Sequence, residues 1–363
     1  MIVNTLTSKL NLKGKVKPLV VSGMALALVL VALALTGRTS AQRETAASEQ
    51  NEQGQQSQSR RRDNVLVRKN AATLSKKERA AFVNAVKQMT LRRSKYDPRL
   101  SAYDYFVKIH YTAFYNHGSA HKVPAFLPWH REFLRRFEEE LQAVDPKVTI
   151  PYWDWTNPTE TAAIFTDDFL GGNGDPADNF IVKTGPFRQG QWSLLFIDPR
   201  SNLQTCSDPN RGCIFDLQRQ FGVTRPTLPT PSDVATAMNI PTYDLPPYDR
   251  SSTFAASFRN NLEGWTTKPD GTFDASANHN RVHGYIGGTM GFATSPNDPV
   301  FWMNHANIDR LWNDWQNRFG TFNYPAAGAP TGSNLYDVMT GFEDESVTPA
   351  MVMDMKELDY RYQ

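Results

Sequence analysis

A histidine-rich stretch in the last quarter of the chain decides the fold, and it opens Asn278-His279-Asn280-Arg281-Val282-His283. His279 and His283 are four residues apart, so on a helix both imidazoles leave the same face, one turn apart. After 21 intervening residues, His305 opens a second helical pattern and lies on its apolar face. An HxxxH pair with an inward third histidine favours a metal site over three ordinary core histidines.

Three further histidines form a second group upstream, namely His110, His121 and His130. His130 shares one apolar helical stripe with Phe133 and Leu134, and His110 lies on another. Six of the chain's seven histidines therefore fall into two inward-facing triads. Three neutral imidazoles per ion suit copper or zinc, and two matched triads suit a pair of ions bridged by a small ligand.

Two long motifs surround these triads. The first runs from His121 to Arg131 and continues in Pro151-Tyr152-Trp153-Asp154-Trp155, and the second includes Gly287-Gly288 and Ser295 through Asp309. They resemble the copper A and copper B signatures of the tyrosinase and polyphenol oxidase family, over roughly residues 64 to 363. The resemblance implies a type 3 centre of two copper ions that binds dioxygen. It puts the copper A ligands on His110, His121 and His130. It puts the copper B ligands on His279, His283 and His305.

The seventh histidine offers an alternative, because His117 and His121 also form an HxxxH pair. The family pattern Val-x-x-His-x-x-x-Phe falls on His110, however, and His117 lies in a stretch typical of a helix end. We therefore predict that His110 is the ligand and that His117 is a polar residue near the rim.

The resemblance also implies roles around the copper ions. Phe301 matches the aromatic residue beside the dicopper pocket, and Phe292 and Ala293 match positions that shape its entrance. Glu263 and Asn280 match the pair that holds an ordered water able to deprotonate a phenol. Glu263 precedes His279 by sixteen residues, a wider spacing than the family leads us to expect. We also expect Gly284, directly after His283, to leave room for a phenol ring.

The predicted function is a tyrosinase that uses O2 to hydroxylate monophenols and to oxidise o-diphenols to o-quinones. The alternative is a catechol oxidase or an o-aminophenol oxidase without monophenolase activity. A hemocyanin-like oxygen carrier fits less well, because we expect no shielding domain after the closing Tyr360-Arg361-Tyr362. The absence of carboxylate ligands argues against a zinc hydrolase.

The first 63 residues are predicted to lie outside the folded domain. Residues 1–41 carry four lysines, an apolar run and a small-residue ending, which is typical of a secretory signal peptide. An uncleaved membrane anchor is the alternative. Residues 42–63 are polar and predict a disordered linker. We therefore expect a secreted or periplasmic protein that does not stay associated with the membrane after cleavage.

After residue 41 the chain has 34 cations against 37 acids, which does not indicate a nucleic-acid partner. The expected partners are O2 and a small phenol. Residues 64–363 should form one mainly α domain, a four-helix bundle with long irregular loops and few short strands. Helical patterns recur near 101–117, 128–143, 253–264, 277–286 and 305–318. A capping box from Ser75 to Glu78 should start an earlier helix that buries Phe82, Val86 and Met89.

Residues 156–251 lack periodicity and are too long for a simple connecting loop. We therefore expect them to wrap the bundle and shape the rim of the site. They contain the only two cysteines, Cys206 and Cys213. In an exported protein, two cysteines across a turn predict a disulfide. Some members of the family link a copper A histidine to a cysteine. No cysteine lies near His110 or His121 in the sequence, so that thioether should be absent.

Overall fold

A computed structural model describes residues 65–115, 120–197, 203–205, 216–342 and 346–363. The predicted signal peptide, linker, disulfide and His117 lie outside these residues. The α-helices of the described residues are α1 (Lys76–Leu91), α2 (Ala102–Tyr115), α3 (Phe126–Gln142), α4 (Pro158–Ile164), α5 (Pro231–Met238), α6 (Phe258–Glu263), α7 (Asn278–Ile286) and α8 (Val300–Phe319). The strands are β1 (Leu66–Arg68), β2 (Gly174–Asp175), β3 (Ile181–Val182), β4 (Leu195–Ile197), β5 (Leu203–Thr205), β6 (Trp265–Thr267), β7 (Phe273–Ala275) and β8 (Tyr360–Tyr362).

The strands are short and pair two by two, so the prediction of a mainly α fold is confirmed. Three of the pairs are antiparallel hairpins, β2 with β3, β4 with β5, and β6 with β7. The fourth pair is parallel and joins β1 to β8, with Leu66 opposite Tyr360. This pair ties the start of the described chain to its end.

Helix α1 begins at the predicted capping box. The Ser75 hydroxyl accepts the Glu78 backbone N–H at 3.3 Å, and a Glu78 carboxylate oxygen accepts the Ser75 N–H at 2.8 Å. Two N–H groups that the first turn leaves unpaired are thereby satisfied. Phe82, Val86 and Met89 are buried as the helical spacing predicted.

Three of the four helices that carry the histidines, α2, α3 and α8, meet around an aromatic core. The rings of Phe137 on α3 and Trp302 on α8 stack with centroids 3.5 Å apart. Phe106 on α2 meets both rings edge-on, at 5.3 Å and 5.9 Å. All three side chains are fully buried. Each contributes roughly 1.5–3 kcal/mol of transfer free energy, so this contact fixes α2, α3 and α8 against one another.

The described part of residues 156–251 packs against the ends of α7 and α8. The fully buried Arg219 donates to both oxygens of Asp298, just before α8, at 2.8 Å each. Its neighbour Gln220 donates its backbone N–H to the Ile286 carbonyl at 2.7 Å, where α7 ends. This irregular segment therefore positions the two helices that carry the downstream histidines.

A buried charge cluster, which we call the Asp309 hub, lies further along α8. Its members around Asp309 are Arg68 on β1, Arg131 on α3, and Tyr360 and Tyr362 on β8. The Asp309 carboxylate accepts hydrogen bonds from Arg131 at 2.6 Å, Tyr360 at 2.6 Å, Tyr362 at 2.7 Å and Arg68 at 3.2 Å. The hub joins both ends of the described chain to the two central helices.

Candidate metal centre

The first histidine triad combines two helices and the loop between them. His110 lies on α2 and His130 on α3, and His121 lies in the intervening loop, part of which falls outside the described residues. One ring nitrogen from each histidine lies within 4.8 Å of the others. His110 and His130 are buried, whereas His121 is half-buried. The two predicted helical stripes therefore place His110 and His130, and the loop brings His121 to them.

The second triad comes from α7 and α8. His279 and His283 are one turn apart on α7, with ring centroids separated by 4.5 Å, and His305 on α8 completes a group of nitrogens within 4.8 Å. The His305 ring stacks on the His130 ring, with centroids 4.2 Å apart and planes 14° apart. The two triads therefore face each other across one interior space.

Hydrogen bonds to the backbone orient three of these rings. The Nδ1 atoms of His110, His130 and His283 lie 2.7–2.8 Å from the backbone carbonyl oxygens of Ala293, Phe126 and Met290. Since a carbonyl only accepts, Nδ1 carries the proton, and the lone pair is on Nε2. Each of these Nε2 atoms is buried and has no protein hydrogen-bond partner.

The other three histidines also present ring nitrogens without ordinary partners. The Nδ1 atoms of His121 and His305 are buried and unpaired. The Nε2 atoms of His279 and His305 lie 3.1 Å apart, so both ring nitrogens of this triad point into the same space. Buried polar atoms without partners are costly, so the donor set fits two metal ions held by imidazole.

Burial also tunes the protonation of the triads. It lowers the pKa of His110 to about 3 and that of His283 to about 4. The pKa values of the other four imidazoles lie well below the usual range, again because of burial. All six rings are therefore neutral at physiological pH, which is the form that binds a metal ion.

Glu263, at the end of α6, is fully buried beside the loop that carries His121. One carboxylate oxygen accepts the backbone N–H of Lys122 at 2.7 Å, and the other accepts the Arg259 guanidinium at 2.9 Å. Burial raises the pKa of the Glu263 carboxyl, and the Arg259 charge opposes that rise. The nearby Asn280 has a buried side-chain Nδ2 without a partner.

The β6–β7 hairpin occupies the sixteen-residue spacing between Glu263 and His279. The residues that precede and follow the hairpin are in close contact at its base, where Gly264 has φ +102°. A Cβ at Gly264 would lie 2.0 Å from the Ala277 carbonyl oxygen and 3.2 Å from Asn280 Cβ. The hairpin therefore leaves Glu263 next to the start of α7 despite the length of the intervening segment.

Comparison with known proteins agrees with this site. The family model for the common central domain of tyrosinase matches residues 100–318. A tyrosinase of Streptomyces lincolnensis is 40% identical over 80% of this chain and 96% of its own length. This chain belongs to the tyrosinase family. A grixazone synthase of Streptomyces griseus is 37% identical over 80% of this chain and 97% of its own length.

A solved polyphenol oxidase of Thermothelomyces thermophila shares the tyrosinase fold. It superposes with a TM-score of 0.62 over 88% of this chain and 95% of its own, at 23% sequence identity. As a tyrosinase-family protein, the chain is a type 3 copper oxidase with a dinuclear copper cofactor, and its two histidine triads fit that centre. Among the described residues, no helix has the length and apolar character needed to span a bilayer.

The remaining predicted site residues lie around the two histidine triads. The buried Phe301 ring lies 4.2 Å from the His305 ring and 5.0 Å from the His110 ring, so it contacts both triads. The Ala293 carbonyl orients His110, and the preceding Phe292 side chain is 68% exposed.

The room expected beside Gly284 is filled. A Cβ built on Gly284 would lie 2.5 Å from Cγ of Arg225, whose side chain passes over this position. Sequence reasoning missed Arg225 because it comes from the irregular segment, 59 positions before Gly284, and no local pattern signals the contact.

Proposed function

We propose that His110, His121 and His130 hold one copper ion and that His279, His283 and His305 hold the other. The single observation that carries this proposal is the pair of facing triads with buried, unpaired ring nitrogens. When bound, the copper ions supply the redox chemistry with dioxygen. The protein contributes fixed rings, because the carbonyls of Ala293, Phe126 and Met290 accept Nδ1–H bonds that prevent rotation.

The proposed substrates are monophenols and catechols, both of which must lose a proton to bind metal well. A phenol has a pKa near 10, so at neutral pH it needs a base more than an easily oxidised catechol does. Glu263 and Asn280 would hold a water molecule between the carboxylate and the unpaired Asn280 Nδ2. Lys122 N–H and Arg259 fix the carboxylate, so its remaining lone pairs point in a defined direction.

Substitutions of this pair test the proposed base. Glu263→Gln and Asn280→Ala should reduce the turnover of a monophenol by about 100-fold, the usual scale for lost proton transfer. Turnover of the matching catechol should fall far less, because it depends less on the base. The assay is oxygen uptake with both substrates at equal copper content. Equal losses on both substrates would assign the pair to structure or copper retention instead.

The alternative is an oxidase of catechols or o-aminophenols without monophenol hydroxylation. The exposed ring of Phe292, next to the residue that orients His110, would produce this outcome if it restricted phenol approach. Oxygen uptake by the unmodified enzyme with a monophenol, a catechol and an o-aminophenol side by side separates the two. An enzyme inert to every monophenol would be assigned to the alternative.

We further propose export through the predicted signal peptide at 1–41, which the apolar run and small-residue ending support. Amino-terminal sequencing of the mature protein should begin near Gln42. A mature protein that still starts at Met1 and stays with the membrane would favour the anchor.

A further inference from the structure

Each triad has one half-buried histidine, His121 in the first and His283 in the second, whereas the other four are buried. We therefore take the opening of the site to lie on the side of these two histidines. Helical geometry places Asn280 and Gly284 one turn apart on the flank of α7 beside the His279–His283 face. Both residues are half-buried, whereas Val282 and Ile286 on the other flank are fully buried in the core. The flank that carries Asn280 and Gly284 therefore borders the opening.

Arg225 crosses this flank. Its stem lies so close to Gly284 that any side chain there would collide with Arg225 Cγ, at 2.5 Å from an added Cβ. Its guanidinium forms an ion pair with Asp274 on β7, and both side chains stay partly exposed, at 28% and 20%. The absence of a side chain at Gly284 thus leaves room for the Arg225 side chain beside His283.

A second cation directly follows the half-buried histidine of the first triad in the chain. Lys122, directly after His121, has φ +65°, an uncommon conformation for a residue with a side chain. Its ammonium lies 5.0 Å from the Phe114 ring centre and 5.4 Å from that of Trp265 on β6. The β6–β7 hairpin is therefore contacted by a cation from the His121 side and by another from the His283 side.

We propose that Arg225 determines substrate specificity by favouring phenols whose side chain ends in a carboxylate, with Lys122 adding to the positive charge of the rim. The proposal rests on the proposed function, since the phenol ring must enter between His121 and His283. A guanidinium carries five N–H donors, and among the described residues Arg225 uses its hydrogen-bonding capacity only toward Asp274. Further donors remain for a substrate carboxylate.

Asp274 opposes this preference, because its carboxylate competes with the substrate for the same guanidinium. Removing the charge of Asp274 should therefore strengthen the preference for acids, and removing the charge of Arg225 should weaken it. If the ion pair only held the hairpin in place, both changes would act in the same direction. This opposition of sign separates specificity from structure.

The experiment compares 3-(3,4-dihydroxyphenyl)propionate with its amide, which share one catechol ring and differ in side-chain charge. Arg225→Gln should lower the acid-to-amide ratio of kcat/KM about fivefold, the scale of one partly exposed charge pair. The change should appear in KM for the acid and not in kcat. Asp274→Asn should raise the same ratio, and added salt should reduce the ratio of the unmodified enzyme.

Arg281→Gln is the matched control, because Arg281 is a half-buried arginine on the same helix that pairs with Asp233 at 3.5 Å. It should leave the ratio unchanged. An unchanged ratio in Arg225→Gln, or a fall in both Arg225→Gln and Asp274→Asn, overturns the proposal.

Binding provides a readout that does not depend on turnover. Calorimetric titration of the copper-loaded enzyme with 3-phenylpropionate and 3-phenylpropanamide, which cannot be oxidised as phenols, should show the same preference and the same response to Arg225→Gln. An enzyme that oxidises neither catechol contradicts the proposed function. In that case, equal binding of acid and amide would contradict the role of Arg225, and preferential binding of the acid would support it.

Discussion

His110→Ala is expected to lower the copper content from two ions per chain to one and to abolish most catechol oxidation. His110 contributes a buried, unpaired Nε2 to the first triad, and no other described histidine can take its place. Changes to residues that only support a ligand cost 10–100-fold, so loss of the ligand itself should lower kcat/KM by more than about 100-fold. Elemental analysis and oxygen uptake on the same preparation measure both effects.

The control for this variant is His117→Ala. It removes the histidine of the competing HxxxH pair, and we expect it to keep both copper ions and nearly full activity. The reverse pattern, with copper lost in His117→Ala and kept in His110→Ala, would assign the ligand to His117.

Asp309→Asn is expected to destabilise the fold by about 3–5 kcal/mol, the cost of breaking a buried ion pair by removing one partner. The carboxylate serves Arg68, Arg131 and two tyrosine hydroxyls at once. Burial raises the pKa of Asp309, but the Arg131 and Arg68 guanidiniums prevail and hold it below the usual value. Denaturant unfolding monitored by tryptophan fluorescence measures the loss.

The sign of the pH dependence follows from that depressed pKa. The folded state binds the Asp309 proton less well than the unfolded state, so its contribution is complete above an ordinary carboxyl pKa of about 4. It is lost as the pH falls through the depressed folded value. The stability difference between the wild type and Asp309→Asn should therefore be constant near neutrality and shrink in acid.

Asp314→Asn on the same helix provides a matched control. Asp314 is 48% exposed and pairs with Arg310 at 3.3 Å, and such surface pairs contribute about 0–1 kcal/mol. We expect little change in unfolding free energy. A loss at Asp314 as large as that at Asp309 would mean that the destabilisation does not come from the hub.

The sequence was sufficient where function depends on local spacing. The HxxxH pair of His279 and His283 needs only one helical turn to converge, and the apolar stripe around His305 fixes which way that ring points. The Ser75 capping box is likewise a four-residue pattern, and the structure confirms it. Copper as the metal came from the family resemblance, since imidazole ligands alone also suit zinc.

Contacts between distant residues could not be predicted in this way. Arg225 passes over Gly284 from an irregular segment without periodicity, so the sequence suggested open space where an arginine stem lies. The sequence shows only that Glu263 lies unexpectedly far from His279, and it does not show that the chain closes between Gly264 and Ala277 at the base of the β6–β7 hairpin. The Asp309 hub joins residues from β1, α3, α8 and β8, whose convergence no single motif encodes.

The most direct test of the dinuclear site is the metal content of the full protein after it is offered copper and zinc together. The two facing triads predict two copper ions per chain. The pair should also be silent in electron paramagnetic resonance when oxidised, because ions held this close couple their spins. One metal ion per chain, zinc in place of copper, or the signal of isolated copper ions would contradict the account.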